Sequence, residues 1–161
     1  MSEAERPGRL TNKPICVGSD HRGFALKTRL ADWLKTHGYE VTDCGADGGA
    51  ERVDAMDHAL RLVDEIRAGR SDFAIGICGS GQMMAMTANR FPFMRATLLH
   101  TPAESGPARE HGDANMLVLG ADNTDGAVAE QILEAFLATP ALGDRYAARR
   151  ERLAKLDIQS R

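Results

Sequence analysis

Residues 73–77 of this chain, Phe-Ala-Ile-Gly-Ile, make an apolar run of buried-strand length, and the residues just after it leave few folds open. Cys78-Gly79-Ser80-Gly81 breaks the run, after which Met83, Met84, Met86 and Ala88 recur at helical spacing. Two glycines so placed let the backbone turn sharply and lie close to a ligand. The free N–H groups that open the next helix make a seat for an anion or a developing oxyanion. The thiol stands at the strand's carboxyl end, where open α/β sheets gather their ligands. A strand, a thiol, a glycine turn and a helix in that order mark where chemistry is expected.

Several familiar readings of this loop fail on spacing. A Walker loop needs G-x-x-x-x-G-K-[ST], and no lysine occupies that place here. A dinucleotide fingerprint needs a third glycine, but Met84 stands three after Gly81. The same Met84 occupies the place where a cysteine phosphatase would carry its arginine. No Cys-x-x-Cys is present for redox exchange or zinc. Taken alone, Cys78 reads equally well as a core thiol before a plain turn.

The chain's 161 residues suffice for one domain with a sizeable core, and no break in composition argues for two. A formal net charge of −3 gives no electrostatic reason to expect nucleic acid. No apolar run is long enough for a membrane span or a signal peptide, and a cytoplasmic protein is expected. Cys16, Cys44 and Cys78 are odd in number and widely spread, as reduced thiols are.

In chain order, residues 1–13 read as a loose polar leader and residues 14–161 as one domain. Residues 14–18 are a first strand, with Cys16 in the core. The polar loop Ser19-Asp20-His21-Arg22-Gly23 leads into a helix carrying Leu26, Leu30, Trp33 and Leu34 on one face, stopped at Gly38. Residues 39–44 are a second strand. Ala59, Leu62, Val63 and Ile66 mark a second helix. After the Cys78 unit, residues 95–100 form a fourth strand. Thr101-Pro102 and Ser105-Gly-Pro107 each set a hydroxyl just ahead of a proline, predicting a short or broken helix to about His111. Residues 115–120 are the fifth strand, Val128, Ile132 and Phe136 a helix stripe, and residues 142–156 a last helix rich in arginine. Strands alternating with helices of this size predict a parallel sheet covered on both faces.

Polar groups gather at the predicted strand ends: Asp20 and His21, Cys78 to Gln82, His100. His111 lies in the turn before the fifth strand. No histidine pair has metal-site spacing, so no metal is expected. At this point the chain resembles a known family, the type B ribose-5-phosphate isomerases, which include the galactose-6-phosphate isomerase subunits. The matching pieces are Gly18-Ser-Asp-His-Arg-Gly-Phe24, Gly38-Tyr-Glu-Val41, Cys78-Gly-Ser-Gly81, Ala88-Asn89, Arg109-Glu-His111, Asp113-Ala-Asn115, and Arg145 with Arg149. They occur in family order and span nearly the whole chain after Lys13.

The resemblance implies a three-layer α/β/α, Rossmann-like domain with a five-stranded parallel sheet and an extended C-terminal helix. It implies a homodimer or dimer of dimers with sites between subunits. It implies interconversion of a phosphorylated aldose and its ketose through an enediolate, without metal or organic cofactor. By resemblance Cys78 is the base that moves the proton between C2 and C1, and Ser80 assists exchange between the oxygens. Backbone N–H groups of Gly79, Ser80, Gly81 and Gln82 hold the enediolate charge. His111 opens the sugar ring, Asp20 binds sugar oxygens, and His21 lies near the phosphate end. Arg145 and Arg149, one helical turn apart, reach the phosphate of the other subunit's substrate.

Chemistry makes these roles reasonable. Removing a proton beside a carbonyl needs both a base and an oxyanion hole. A helix start favours the thiolate form of a cysteine, ring opening suits imidazole, and paired guanidinium groups suit phosphate. Without the resemblance, Arg145 and Arg149 read as a solvated basic face.

Four positions depart from the family pattern. Asp54-Ala-Met-Asp57 stands in place of Asp-Tyr-Pro-Asp, and Gly112 in place of an asparagine. Met83 replaces a glycine, and Asp122 stands where many members carry a phosphate-reaching arginine. Together they suggest a shifted substrate, such as a tetrose or branched pentose phosphate. The alternative is a sugar-phosphate-binding paralogue without catalysis.

Overall fold

The computed structural model describes residues 8–156. Five parallel strands, β1 (Ile15–Ser19), β2 (Val41–Asp43), β3 (Ala74–Cys78), β4 (Ala96–Leu98) and β5 (Met116–Gly120), form one sheet in the order β2-β1-β3-β5-β4. Among the described residues six α-helices accompany them: α1 (Phe24–Thr36), α2 (Ala55–Arg67), α3 (Gln82–Ala88), α4 (Ser105–Glu110), α5 (Gly126–Ala138) and α6 (Asp144–Ala154).

Side chains alternate across a strand, and here both faces are covered. Leu117 and Leu119 of β5 point with Ile15, Val17, Ile75 and Ile77 toward Leu30 of α1 and Phe136 of α5. Met116 and Val118 point the other way, with Cys16 and Cys78, toward Leu62 of α2 and Met84 of α3. The result is the three-layer α/β/α arrangement. Leu30, Leu62 and Phe136 are fully buried, and each such side chain contributes about 1.5–3 kcal/mol of transfer free energy.

Helix starts obey local chemistry. Asp54 and Asp125 cap α2 and α5, accepting hydrogen bonds from Met56 N–H and Ala127 N–H, both at 2.8 Å. The two proline signals fall on one broken helix. A 3₁₀ turn at Pro102–Glu104 runs directly into α4, and Glu104 Oε2 accepts the N–H groups of His100 and Thr101 at 2.6 and 2.9 Å. Those two bonds hold the Glu104 carboxyl below its usual range.

The edge strands are shorter than the sequence suggests, three residues each in β2 and β4. Each has one neighbour only, so pairing stops where the chain turns away. Asn89 governs the start of β4. Its side chain accepts Ala96 N–H at 2.8 Å and donates to Ala96 C=O at 2.9 Å.

Residues 1–7 of the expected leader lie outside the described residues, and from Arg9 onward the chain is anchored. Arg9 donates to His37 C=O at 2.6 Å and covers the Tyr39 ring. Thr11 and Lys13 both donate to Asp72, at 2.7 and 2.8 Å. Partial burial pushes the Asp72 carboxyl up, but these two partners outweigh it and hold the group below its usual range. Among the described residues no helix is long and apolar enough to cross a membrane.

The connections fix where ligands can gather. The chain leaves β1 toward β2 and leaves β3 toward β5 and β4, in opposite directions. The carboxyl ends of β1 and β3 are therefore the switch point of an open parallel sheet, where such folds gather their ligands.

Candidate active site

Cys78 is the last residue of β3, and Asp20 comes directly after β1, so the two stand side by side at that switch point. Asp20 N–H donates to Ile77 C=O at 3.1 Å, which binds the two strand ends together. The Asp20 carboxylate is buried and accepts Gly23 N–H at 3.0 Å, shaping the turn into α1. His21 is half-buried, with Nδ1 lying 3.2 Å from Val53 N and 3.3 Å from Val53 O. This contact brings the loop after β2 against the loop after β1. A 380 Å³ cavity opens beside it, lined by Ala46, Asp47, Val53, His58 and Arg61.

The Cys78 loop is built so that its amides stay available. Ala121 N–H donates to Cys78 C=O at 2.8 Å, and Asp122 N–H donates to Gly79 C=O at 2.9 Å. With both carbonyls tied toward the β5 loop, planar trans peptides send the N–H groups of Gly79 and Ser80 the other way. Among the described residues neither N–H has a hydrogen-bond partner. Gly81 N–H donates to Cys78 Sγ at 3.1 Å, and Gln82 N–H to Ser80 Oγ at 3.3 Å. Gly81 adopts φ +79°, and a Cβ there would lie 2.5 Å from Leu98 Cδ1. Only glycine fits this turn. Cys78 is buried, 4 % exposed, whereas Ser80 and Gln82 are open to solvent.

The other two thiols lie together, away from this loop, on the β1 and β2 side of the sheet. Cys16 is fully buried, and its contact with Cys44, together with burial, pushes the thiol far up. Cys44 is half-buried, its own thiol pulled down by that same contact.

His111, Arg145 and Arg149 lie elsewhere. Met116 pairs with Ala74 and Gly120 with Cys78, so β5 runs from the amino edge of the sheet to its carboxyl edge, a span of roughly 13 Å. His111 precedes β5 and therefore sits at the amino edge. There its ring stacks on Tyr146 of α6, centroids 4.3 Å apart and planes 2° from parallel. Arg145 and Arg149 lie over the same tyrosine, 4.8 and 5.8 Å from its centroid. Within one chain, the structure thus brings the expected groups into two clusters: Asp20, His21, Cys78 and residues 79–82 at one edge, and His111 with the two arginines at the other.

The turn carrying His111 is held firmly. Asp113 sits at φ +45° with its carboxylate between Arg109 at 2.9 Å and Arg95 at 3.3 Å. At Gly112 a Cβ would lie 2.9 Å from Ala108 C=O. A side chain at this position would press on that carbonyl unless the turn shifted. Asp122 is accounted for: its carboxylate pairs with Arg22, which reaches across Gly79 from the β1 loop.

Sequence reasoning missed His58 and Tyr146, and it missed that Arg22, inside the first motif, and Asp122, one of the four departures, are partners. Arg22 and Asp122 are 100 residues apart, and no spacing rule links them. Tyr146 is next to Arg145 on α6, and an aromatic ring among arginines is the one local hint of its stacking role. Among the described residues, no three His, Cys, Asp or Glu side chains come together as metal ligands would.

Known proteins are similar to this chain in sequence and in overall fold. A family model described as Ribose/Galactose Isomerase matches residues 15–153. The ribose-5-phosphate isomerase B of Escherichia coli (strain K12) is 32% identical over 145 residues, covering 90% of this chain and 97% of that protein. The 4-deoxy-4-sulfo-D-erythrose isomerase of Clostridium sp. (strain MSTE9) is 33% identical over 125 residues, 78% of this chain and 79% of that protein. Among solved structures, the ribose-5-phosphate isomerase B of Clostridium thermocellum superposes with a TM-score of 0.87 at 36% identity, covering 89% of this chain and 96% of that one.

Proposed function

This chain belongs to the ribose/galactose isomerase family of sugar-phosphate isomerases, and we propose that it interconverts a phosphorylated aldose and its ketose with Cys78 as the base. The observation that carries this reading is the loop after β3. A thiol ends the strand, and beside it two amide N–H groups have no partner among the described residues, because the neighbouring carbonyls are tied back.

In the open-chain aldose, the Cys78 thiolate removes the proton from C2, and the electron pair moves into a C1–C2 enediolate. The N–H groups of Gly79 and Ser80 meet the negative oxygen, and Ser80 Oγ passes a proton between O1 and O2. The Cys78 thiol then returns its proton to C1, giving the ketose. Amide donors aimed at a developing oxyanion are worth far more in the transition state than in the ground state. Asp20 holds sugar hydroxyls, and His21 stands at the far end of the substrate.

Ring opening and phosphate binding come from a second copy. Its His111 takes the anomeric hydroxyl proton and protonates the ring oxygen, while its Arg145 and Arg149 grip the phosphate. What supports a dimer is the separation of the two clusters, together with apolar side chains exposed near each. Met56, Met83 and Met86 are exposed on α2 and α3, and Leu153 and Leu156 at the α6 end. Exposed apolar groups on neighbouring turns and elements are the kind of surface that a second copy would cover.

For the substrate we favour a four- or five-carbon aldose with a terminal phosphate, ribose 5-phosphate included. The Clostridium relative named for a four-carbon sulfo sugar supports the shorter end of that range. The test is to incubate purified protein with aldotetrose, aldopentose and aldohexose phosphates and measure ketose formation. Failure to turn over any of them would defeat the reading. Thermal stabilisation by one of them without turnover would instead establish a non-catalytic binder, which the altered loop at Asp54 to Asp57 favours.

A further inference from the structure

We propose that Arg22 and Asp122 form a strap across the Cys78 loop that holds the Gly79 and Ser80 amides in their productive orientation. Both are then positioning residues for the isomerisation, an assignment that rests on the function just proposed. The guanidinium arrives from the loop after β1 and the carboxylate from the loop after β5. Between these two strands lies β3, so the ion pair bridges directly over the end of the strand that carries the thiol.

Two contacts tie this strap to the peptide groups of the loop, and a third backs the loop from behind. A Cβ placed on Gly79 would lie 2.9 Å from Arg22 Cζ and Nη1, so the guanidinium rests on the glycine's bare backbone. Gly79 C=O accepts Asp122 N–H at 2.9 Å, so the residue that supplies the carboxylate also fixes the Gly79–Ser80 peptide plane. Behind it, Gly120 packs against Ser80 C=O, where a Cβ would come within 2.7 Å. The loop is pressed from the front by Arg22 and backed by the end of β5. Ala121 N–H ties the Cys78–Gly79 plane and Asp122 N–H the Gly79–Ser80 plane, and the two planes meet at the Gly79 Cα on which Arg22 rests.

The pair's exposure argues against a role in stability. The Arg22 and Asp122 side chains are 57% and 43% exposed, and ion pairs so open to water contribute little to folding. An exposed pair that spans 100 residues and lies on a bare glycine is better placed to set local geometry. Misplacing oxyanion donors by a fraction of an ångström costs rate rather than affinity.

The experiment compares wild type, Arg22→Met, Asp122→Asn and the charge-exchanged double variant carrying Arg22→Asp with Asp122→Arg. With ribose 5-phosphate as the probe, each single variant should lose about tenfold or more in kcat with KM changed less than about twofold. The exchanged pair should recover most of the loss. Melting temperatures should stay within about 4 °C of wild type. Backbone ¹⁵N relaxation reads the strap without any turnover. Order parameters at Gly79 and Ser80 should be near about 0.85 in wild type, drop toward about 0.6 in the single variants, and return in the exchange. Order parameters unchanged in both single variants would overturn the strap, whatever the kinetics. Loosened amides with unchanged kcat on a substrate that wild type turns over would overturn the positioning role. If wild type turns over no sugar phosphate, the isomerase reading fails separately, and the relaxation data alone decide the strap.

Discussion

The sulfur of Cys78 accepts the Gly81 N–H, and that bond depends on a left-handed backbone at Gly81. Gly81→Ala would put a Cβ against Leu98 at a φ that side chains disfavour, and we expect a loss of about 1–3 kcal/mol in denaturant unfolding. Cys78→Ala is the cleaner test of chemistry. It removes one atom from a packed site, so far-ultraviolet circular dichroism should stay unchanged while kcat falls by at least about a thousandfold. Retained turnover would take the thiol out of the mechanism. A motif of residue types at fixed spacing makes Cys78, the glycines and Asp20 legible from sequence. The Arg22–Asp122 contact is not legible there, because Asp122 reads as an isolated acid in a place suited to a cation. Only the fold shows that the acid already has its partner.

Helices and buried strands arise from patterns that sequence carries openly. Leu26, Leu30 and Leu34 mark the α1 face, and Val128, Ile132 and Phe136 the α5 face, and both pack on the sheet as their spacing predicts. The edge strands β2 and β4 are less legible, since their length is set by one neighbour and by the Asn89 clamp rather than by their own residues. The helix caps allow two tests at this scale. Asp54→Ala removes the acceptor for Met56 N–H and should cost about 1 kcal/mol at neutral pH. It separates a helix-starting role for this loop from any contact with substrate, because only the latter would raise KM. Glu104 gives a pH test. Its carboxyl is held low in the folded protein by the N–H groups of His100 and Thr101. Its contribution is therefore present above the unfolded value of about 4.3 and is lost as pH falls through the folded one. Wild type should thus be more stable than Glu104→Gln at pH 7, and urea titrations should converge as the pH falls below about 4.

The whole molecule holds its thiol and amides at one edge of a five-stranded sheet and its imidazole and paired guanidinium groups at the other. Sequence order conceals this, because Cys78 and His111 stand only a strand and a helix or two apart along the chain. The direction of β5 is what separates them. Under the proposed dimer, sedimentation at micromolar concentration should give a species of at least two chains, and a monomer would remove the shared site. The same separation makes complementation possible between two proteins that are each dead. A Cys78→Ala preparation and a His111→Ala preparation, unfolded together and refolded as an equal mixture, would yield hybrids with one doubly damaged cleft and one intact one. Random pairing predicts about a quarter of wild-type specific activity from two inactive parents, and a mixture that stayed silent would mean that each chain works alone or not at all.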